Sequence, residues 1–372
     1  MNPVSAIDRL LACEPFELDG ERKDALFAEA MREAFNHHLE ACEPYRRFCL
    51  ASGLAPGDRP ADLAGYPYLP VSLFKTHELL SVPRATITTI LRSSATSGAP
   101  STIMIDATTA RRQATVSAKL IAGCLGTHRR RVLMLDEDPA LTRGASLTAR
   151  SAATRGFLVF ASAVEYVVRR DAGRLRLDLG RLIARLSECA ASGEEICLAG
   201  FTSVVHGEVV QALTERGIRL ALSPASAVAH IGGWKRLEDR KVTRRQFLDD
   251  VCRTLGVVPG RVFDFYGFTE QMGLVHGSAG LEPKRVPVYS EIVIRDSRTL
   301  ERAPDGEAGL IELLTPLPHS YPGIAVLTDD IGRVVQRGTD DRGGSGTTFE
   351  VLGRAGRAEP RGCGDLLGPL AR

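Results

Sequence analysis

The residues best equipped for chemistry form three separated groups. The first is Ser93-Ser94-Ala95-Thr96-Ser97-Gly98-Ala99-Pro100-Ser101. Its hydroxyls, with backbone N–H groups freed by a turn at Gly98, make a concave set of donors suited to an oxyanion, phosphate above all. It lacks the G-x-x-x-x-G-K-[ST] pattern of a Walker A loop, and an ordinary Ser/Thr-rich surface loop reads the same way. The second group is Asp264-Phe265-Tyr266-Gly267-Phe268-Thr269-Glu270-Gln271. Carboxylates, a hydroxyl and an aromatic around a glycine can hold a hard cation and a flat ring together. Glu270 suits Mg²⁺, which keeps most of its waters and takes one or two carboxylates; a β-turn with a chance glutamate is the plainer alternative. The third is Thr328-Asp329-Asp330-Ile331-Gly332-Arg333, where an aspartate at a strand end could accept both hydroxyls of a ribose, unless the segment is a hairpin turn. Gly353-Arg354 offers a further ribose or phosphate contact.

Several elements must position these groups. The hydroxyl loop lies between an apolar, β-branched run, 85–91, and the short run Thr102-Ile103-Met104-Ile105, so strand, loop, strand is expected. Residues 1–55 read as helical, with apolar residues at helical spacing over 24–35 and a close at Gly53 and Pro56. Residues 68–75 read as an extended segment. Residues 108–124 form a helix capped by Asp106 or Thr108. Buried strands are expected at 131–135, 156–163 and 196–201, a further strand at 218–222, and helices at 177–191, 208–216 and 244–255. Helix alternating with short apolar run indicates a mostly parallel α/β sheet. From about Val286, short alternating strands at 290–295, 309–314, 324–327 and 349–352, separated by Gly, Pro and Asp turns, indicate a small antiparallel β subdomain. The last twenty residues read as a loosely held tail.

Composition narrows the class. The 372 residues suffice for one large or two modest domains, and a net charge of +2 favours neither nucleic acid nor an acidic surface as partner. No apolar run approaches the ~20 residues that span a bilayer, and the N-terminus lacks a signal peptide's layout. The eight cysteines show no metal-ligand spacing. A cytoplasmic protein with reduced thiols is expected.

The order and spacing of the chemical groups add to this. A hydroxyl loop, then D-x-Y-G-x-T-E, then T-x-D, then G-R resembles the adenylate-forming superfamily of acyl-CoA synthetases, luciferases and peptide-synthetase adenylation domains. Within it, the chain is most similar to the acyl-protein synthetase component of the bacterial bioluminescence fatty-acid reductase. That closer resemblance rests on Leu69-Pro70-Val71-Ser72-Leu73-Phe74-Lys75, Gly232-Gly233-Trp234-Lys235, Phe265 to Gln271 and Arg361-Gly362-Cys363, and covers nearly the whole chain.

The resemblance implies the large N-terminal domain of adenylate-forming enzymes: mostly parallel sheets with flanking helices, plus a small antiparallel β subdomain. The chain stops about where the mobile C-terminal lid would begin, so that lid is expected to be lacking. A division into 1–85 (helical part), 86–285 (nucleotide- and acyl-binding core), 286–352 (β subdomain) and 353–372 (tail) follows. The implied reaction has two steps. ATP and a carboxylic acid, by family default a fatty acid, give an acyl-adenylate and pyrophosphate. The acyl group then passes to a cysteine near the C-terminus, here Cys363, and on to a partner protein such as a reductase. Positioning alone can supply roughly 7–11 kcal/mol of such a barrier.

The implied roles are phosphate binding by Ser93, Ser94, Thr96, Ser97 and Gly98; Mg²⁺ binding by Glu270 in the turn with Gly267 and Thr269; adenine beside Tyr266 and Gly233; and ribose on Asp330 and Arg354. Arg361 should favour the Cys363 thiolate, the attacking species. Ala95, Ser97 and Ser101 depart from the superfamily loop S-S-G-T-T-G-x-P-K, and Lys235 is a candidate for the positive charge lost at Ser101. His206 could face the acyl carboxylate or be a satisfied structural histidine, and His276 is equally open. Two rivals remain: delivery of the adenylate's acyl group to coenzyme A or a carrier protein's phosphopantetheine, and a non-catalytic acyl-binding or scaffold subunit in which Ala95 has disabled the loop.

Overall fold

The computed structural model of the protein describes residues 4–18, 20–54, 60, 62–93, 100–141, 154–171, 174–234, 241–338 and 346–355. Its centre is a seven-stranded sheet in the order His276–Ala279, Val262–Tyr266, Ala227–Ile231, Ile196–Phe201, Arg130–Glu137, Ala161–Asp171, Arg174–Leu177. The five inner strands run parallel and the two edge strands antiparallel. Every residue of Ile196–Phe201 and Ala227–Ile231 is buried, as expected for parallel strands covered on both faces.

Helices between these strands begin and end where the sequence supplies caps. Asp106 accepts from Thr109 N at 2.8 Å to open the helix Ala107–Leu125. Asp178 opens Leu179–Ser192, which ends at left-handed Gly193, and Thr243 opens Arg244–Leu255, which ends at left-handed Gly256.

A second, six-stranded sheet runs Lys284–Arg285, Thr348–Arg354, Ala325–Gln336, Gly309–Leu314, Glu291–Arg295, all antiparallel, with Leu69–Pro70 added in parallel to Ala325–Gln336. One face packs on the N-terminal helices Ala6–Ala12, Gly20–Ala41 and Glu43–Ala51 through Phe27, Phe35, Tyr45, Tyr289, Leu314 and Val326. Each such side chain withdrawn from water stabilises by about 1.5–3 kcal/mol. The third unit is the hairpin Ile87–Arg92 with Thr102–Asp106, which brackets the hydroxyl loop. Among the described residues, no helix is long and apolar enough to cross a membrane.

Several expected elements differ. Residues 218–222 form no strand: Leu220 N donates to Thr254 O and Leu222 N to Leu255 O, so this segment satisfies the last carbonyls of the helix Arg244–Leu255 instead of pairing in a sheet. Within 68–75 only Leu69–Pro70 is extended, and Leu73–Thr76 closes into a helical turn. Residues 156–158 form a 3₁₀ turn, where Gly156 lies against Ile121 and Ser117, and the strand begins at Ala161. The helix placed at 208–216 starts at Thr202 and includes a π-helical stretch, Val205–Val210. Residues 328–333 are neither a strand end nor a hairpin turn. They lie inside Ala325–Gln336, at a bulge where the register with Thr348–Arg354 slips between Ile331 and Gly332. A bulge re-aims side chains without ending the strand.

Candidate functional site

The strand Val262–Tyr266 delivers Tyr266 to the C-terminal edge of the parallel sheet, where open α/β sheets bind ligands. The Tyr266 hydroxyl donates to Asp330 Oδ2 at 2.9 Å, and Arg354 Nε lies 3.3 Å from Asp330 Oδ1. Asp330 and Arg354 are cross-strand partners, so register fixes their meeting. Burial, the Asp330 charge and this hydrogen bond push the Tyr266 hydroxyl well above its ordinary range, so it remains a donor.

Gly267 follows. A Cβ there would come within 2.9 Å of Leu274 O, so glycine admits the returning chain. The 3₁₀ turn Thr269–Gln271 then presents Glu270, which is buried. Tyr321 Oη donates to the Glu270 carbonyl at 2.9 Å, and Gln271 Nε2 donates to Leu313 O and Gly323 O, so the turn is bolted to the second sheet. Burial pushes the Glu270 carboxyl up, opposed by a hydrogen bond from Ser101 and by the positive charge of Lys75, while Asp329 adds to the rise. Three chain regions therefore converge on Glu270: the end of the hydroxyl loop, the helical turn holding Lys75, and the Asp329–Asp330 bulge.

At the base of the hydroxyl loop, Ser93 N donates to Ser101 O at 3.0 Å and Ser101 N to Ser93 Oγ at 2.8 Å. The Ser93 oxygen thus closes the base of the loop. Ser94, Thr96, Ser97, Gly98, Lys235 and Cys363 lie outside the described residues. Gly233 follows left-handed Gly232, and a Cβ on it would meet no atom within 4 Å. Thr269 opens the Glu270 turn and is half-buried.

Sequence reasoning missed Lys75 and Asp329 as neighbours of Glu270, and gave Ser101 no role there. Lys75 stood in a quoted motif, but only the helical turn Leu73–Thr76 brings it to the site. Beneath Tyr266, on the same face of the sheet, lies a further buried polar set. Lys284 Nζ contacts Asp264 Oδ2 at 2.9 Å, and Asp264 Oδ1 lies 3.8 Å from His230 Nδ1. Burial alone would raise the Asp264 carboxyl, but Lys284 and His230 bring it below its ordinary value. His276 is buried as well, with Nε2 3.1 Å from Ser290 Oγ.

Among the described residues, no three His, Cys, Asp or Glu side chains converge as a metal cage. The donor set instead fits Mg²⁺ of the kind that relies on substrate phosphates: one buried carboxyl, raised chiefly by burial, beside the Ser101 hydroxyl.

Comparison with known proteins agrees with this architecture. The 2-hydroxyisobutyryl-CoA ligase, solved in its postadenylation state, superposes with a TM-score of 0.66 over 95% of this chain and 72% of its own, at 15% identity. An open conformation of that ligase gives 0.67 over 95% and 74%. The fold is that of adenylate-forming enzymes. The long-chain-fatty-acid–luciferin-component ligase of Vibrio harveyi is 24% identical over 359 residues, 96% of this chain and 91% of that one. Its counterpart from Aliivibrio fischeri is also 24% identical, over 360 residues. With residues 2–369 matching it, the chain belongs to the LuxE acyl-protein synthetase family.

Proposed function

We propose that this chain uses ATP to activate a long-chain fatty acid as its acyl-adenylate, then carries the acyl group on Cys363 before handing it to a protein partner. The observation that carries the reading is the convergence of Ser101, Lys75, Glu270 and the Tyr266–Asp330–Arg354 set at the C-terminal edge of the parallel sheet.

In this reading the adenine lies along the Tyr266 ring near Gly233. Asp330 already accepts from Tyr266 and faces Arg354, but a carboxylate has about four lone-pair sites, so the ribose hydroxyls find acceptors in place. The hydroxyl loop, Ser93, Ser94, Thr96, Ser97 and Gly98, wraps the phosphates. Mg²⁺ on Glu270 would offset the charge that develops on phosphate during transfer. Lys75, held near Glu270, supplies the cation that Ser101 removed from the loop, which gives it a stronger claim to that role than Lys235.

The acid's carboxylate oxygen attacks the α-phosphorus and pyrophosphate leaves. The Cys363 thiol then gives up its proton, its sulfur attacks the acyl carbonyl, and AMP leaves. The sequence division at 85, 285 and 352 is proposed to match helical, nucleotide-binding and β units of this machine. An acyl reductase is the partner chemistry that consumes such a thioester.

The test is ATP–pyrophosphate exchange with purified protein across a series of carboxylic acids. Acid-dependent exchange, greatest for long chains, is expected. Exchange with no acid in the series, together with no ATP-dependent shift in melting temperature, would overturn the reading.

A further inference from the structure

The strand Ile196–Phe201 passes directly into a helix whose second segment, Val205–Val210, is π-helical. π-Helical turns are uncommon and concentrate at functional sites. This one carries His206, buried at 3% exposure. His206 Nε2 lies 3.0 Å from Asp250 Oδ2, and Arg253 holds the other carboxylate oxygen at 3.1 Å. A carboxylate only accepts, so Nε2 carries the proton and donates. In the neutral ring Nδ1 is therefore a bare acceptor. It is buried and has no hydrogen-bond partner.

Leaving a buried acceptor unpaired is costly. The surrounding groups do not relieve it: Trp234 meets the ring edge-on at 5.3 Å and Phe247 stacks on it at 5.7 Å. Beyond Phe247 lies His230, whose Nδ1 is engaged with Thr202 Oγ1 at 2.8 Å, and Glu208 shares the His206 helix. A donor brought by a ligand would complete Nδ1. Neither reactant of the first half-reaction offers one at the reacting centre, since a carboxylate and a phosphate only accept. The second half-reaction does, because its nucleophile arrives as a thiol.

Position agrees. Strands lie about 4.8 Å apart, so the end of Ile196–Phe201 stands two strand spacings, roughly 10 Å, from Tyr266 at the end of Val262–Tyr266. That is the order of the span from a nucleotide's base to its phosphate.

We propose that the His206–Asp250 pair is the general base for the acyl-transfer half-reaction. The proposal rests on the adenylation reading above. His206 Nδ1 takes the proton of the acceptor thiol, the sulfur forms its bond to the acyl carbonyl carbon, the bond from that carbon to the adenylate oxygen breaks, and AMP leaves. Asp250 holds the ring in the tautomer that accepts and steadies the imidazolium that forms.

The test compares His206→Gln and Asp250→Asn with the unaltered protein in two assays. One is acid-dependent ATP–pyrophosphate exchange; the other is acyl transfer from acid and ATP to the chain's own thiol and to N-acetylcysteamine as a free thiol. General-base help is commonly worth about 10²–10⁴-fold. At neutral pH, His206→Gln should lower thiol transfer about 100-fold relative to exchange. Trapping with hydroxylamine, a nucleophile that needs no prior deprotonation, should fall no further than exchange. Asp250→Asn should lower thiol transfer by a smaller factor. Transfer in His206→Gln should climb steadily as pH rises toward ionisation of the thiol itself, a signature that a packing role would not produce. Exchange and transfer falling together in both variants, or no recovery at high pH, would overturn the proposal. Failure of exchange in the unaltered protein would instead overturn the adenylation reading.

Discussion

Tyr266 and Asp330 stand on different sheets, and the 2.9 Å hydrogen bond between them joins the seven-stranded sheet to the six-stranded one at the proposed nucleotide site. With Arg354 on its other oxygen, Asp330 is ordered before any ribose arrives. Hydrogen bonds to a charged group contribute about 1.5–3 kcal/mol, which is roughly 10–100-fold in affinity. Asp330→Ala should therefore raise the KM for ATP by about that factor, read by pyrophosphate exchange. Tyr266→Phe keeps the ring and loses only the hydroxyl, so it should cost about tenfold or less. An unaltered KM in Asp330→Ala would remove ribose from this strand.

In the proposed reading, Glu270 and Lys75 divide the charge work between them. Replacing Glu270 by Gln keeps its shape and removes its charge, and exchange should fall by about 10²–10³-fold, as when a preorganised electrostatic group is lost. Lys75→Met removes the opposite charge at the same place. If Lys75 serves the phosphates, this variant should also lose exchange and should weaken ATP binding in isothermal titration. If its charge served only to steady Glu270, the double variant Glu270→Gln/Lys75→Met would be no worse than Glu270→Gln alone.

Much of this site was legible in the sequence because its parts are local. The Tyr-Gly-Phe-Thr-Glu turn is contiguous in the sequence, and caps such as Asp106, Asp178 and Thr243 announce their helices within three positions. The neighbours of Glu270 were not legible, because Lys75 and Ser101 reach it only after two sheets and a hairpin have packed. Residues 218–222 misled for a related reason. Apolar residues alternating at Ile218, Leu220 and Leu222 mark a segment with one face turned inward, and a chain bonded to helix carbonyls turns the same residues inward, with Leu222 buried and Arg219 and Ala221 exposed. The strand through Asp329 and Asp330 was cut short because consecutive aspartates signal a turn, whereas a bulge can carry them through.

Cys363 can be tested by the order of the two half-reactions. Adenylation precedes attack by the thiol, so Cys363→Ser should eliminate the hydroxylamine-labile acyl group on the protein while pyrophosphate exchange continues. Mass spectrometry of the chain after incubation with acid and ATP reads the result directly. Acyl group still bound to Cys363→Ser would assign acceptance to another residue. Acyl group found only on a supplied carrier protein would favour delivery to phosphopantetheine.

The buried histidines set the direction of the stability profile in acid. Burial brings His230 from its ordinary 6.5 down to about 4, and His276 down to about 3. In the unfolded chain both rings take up protons as pH falls through about 6.5, while in the folded protein they remain neutral until much lower pH. The unfolded state then binds more protons than the folded one, so stability present above pH 6.5 is lost as pH falls toward the folded values. Each ring contributes a slope of up to about 1.4 kcal/mol per pH unit within that window, so between pH 6.5 and 5 the two together should remove on the order of 3 kcal/mol. Urea midpoints measured across this range should fall accordingly. His276→Gln cannot take up that proton in either state, so although it loses the imidazole contact to Ser290, its urea midpoint should fall with acid less steeply, the remaining slope coming from His230 and from His38 and His37, which burial lowers likewise. A variant that retained the full slope would show that His276 is already solvated in the folded protein, and that the sheet edge behind Tyr266 is open to water.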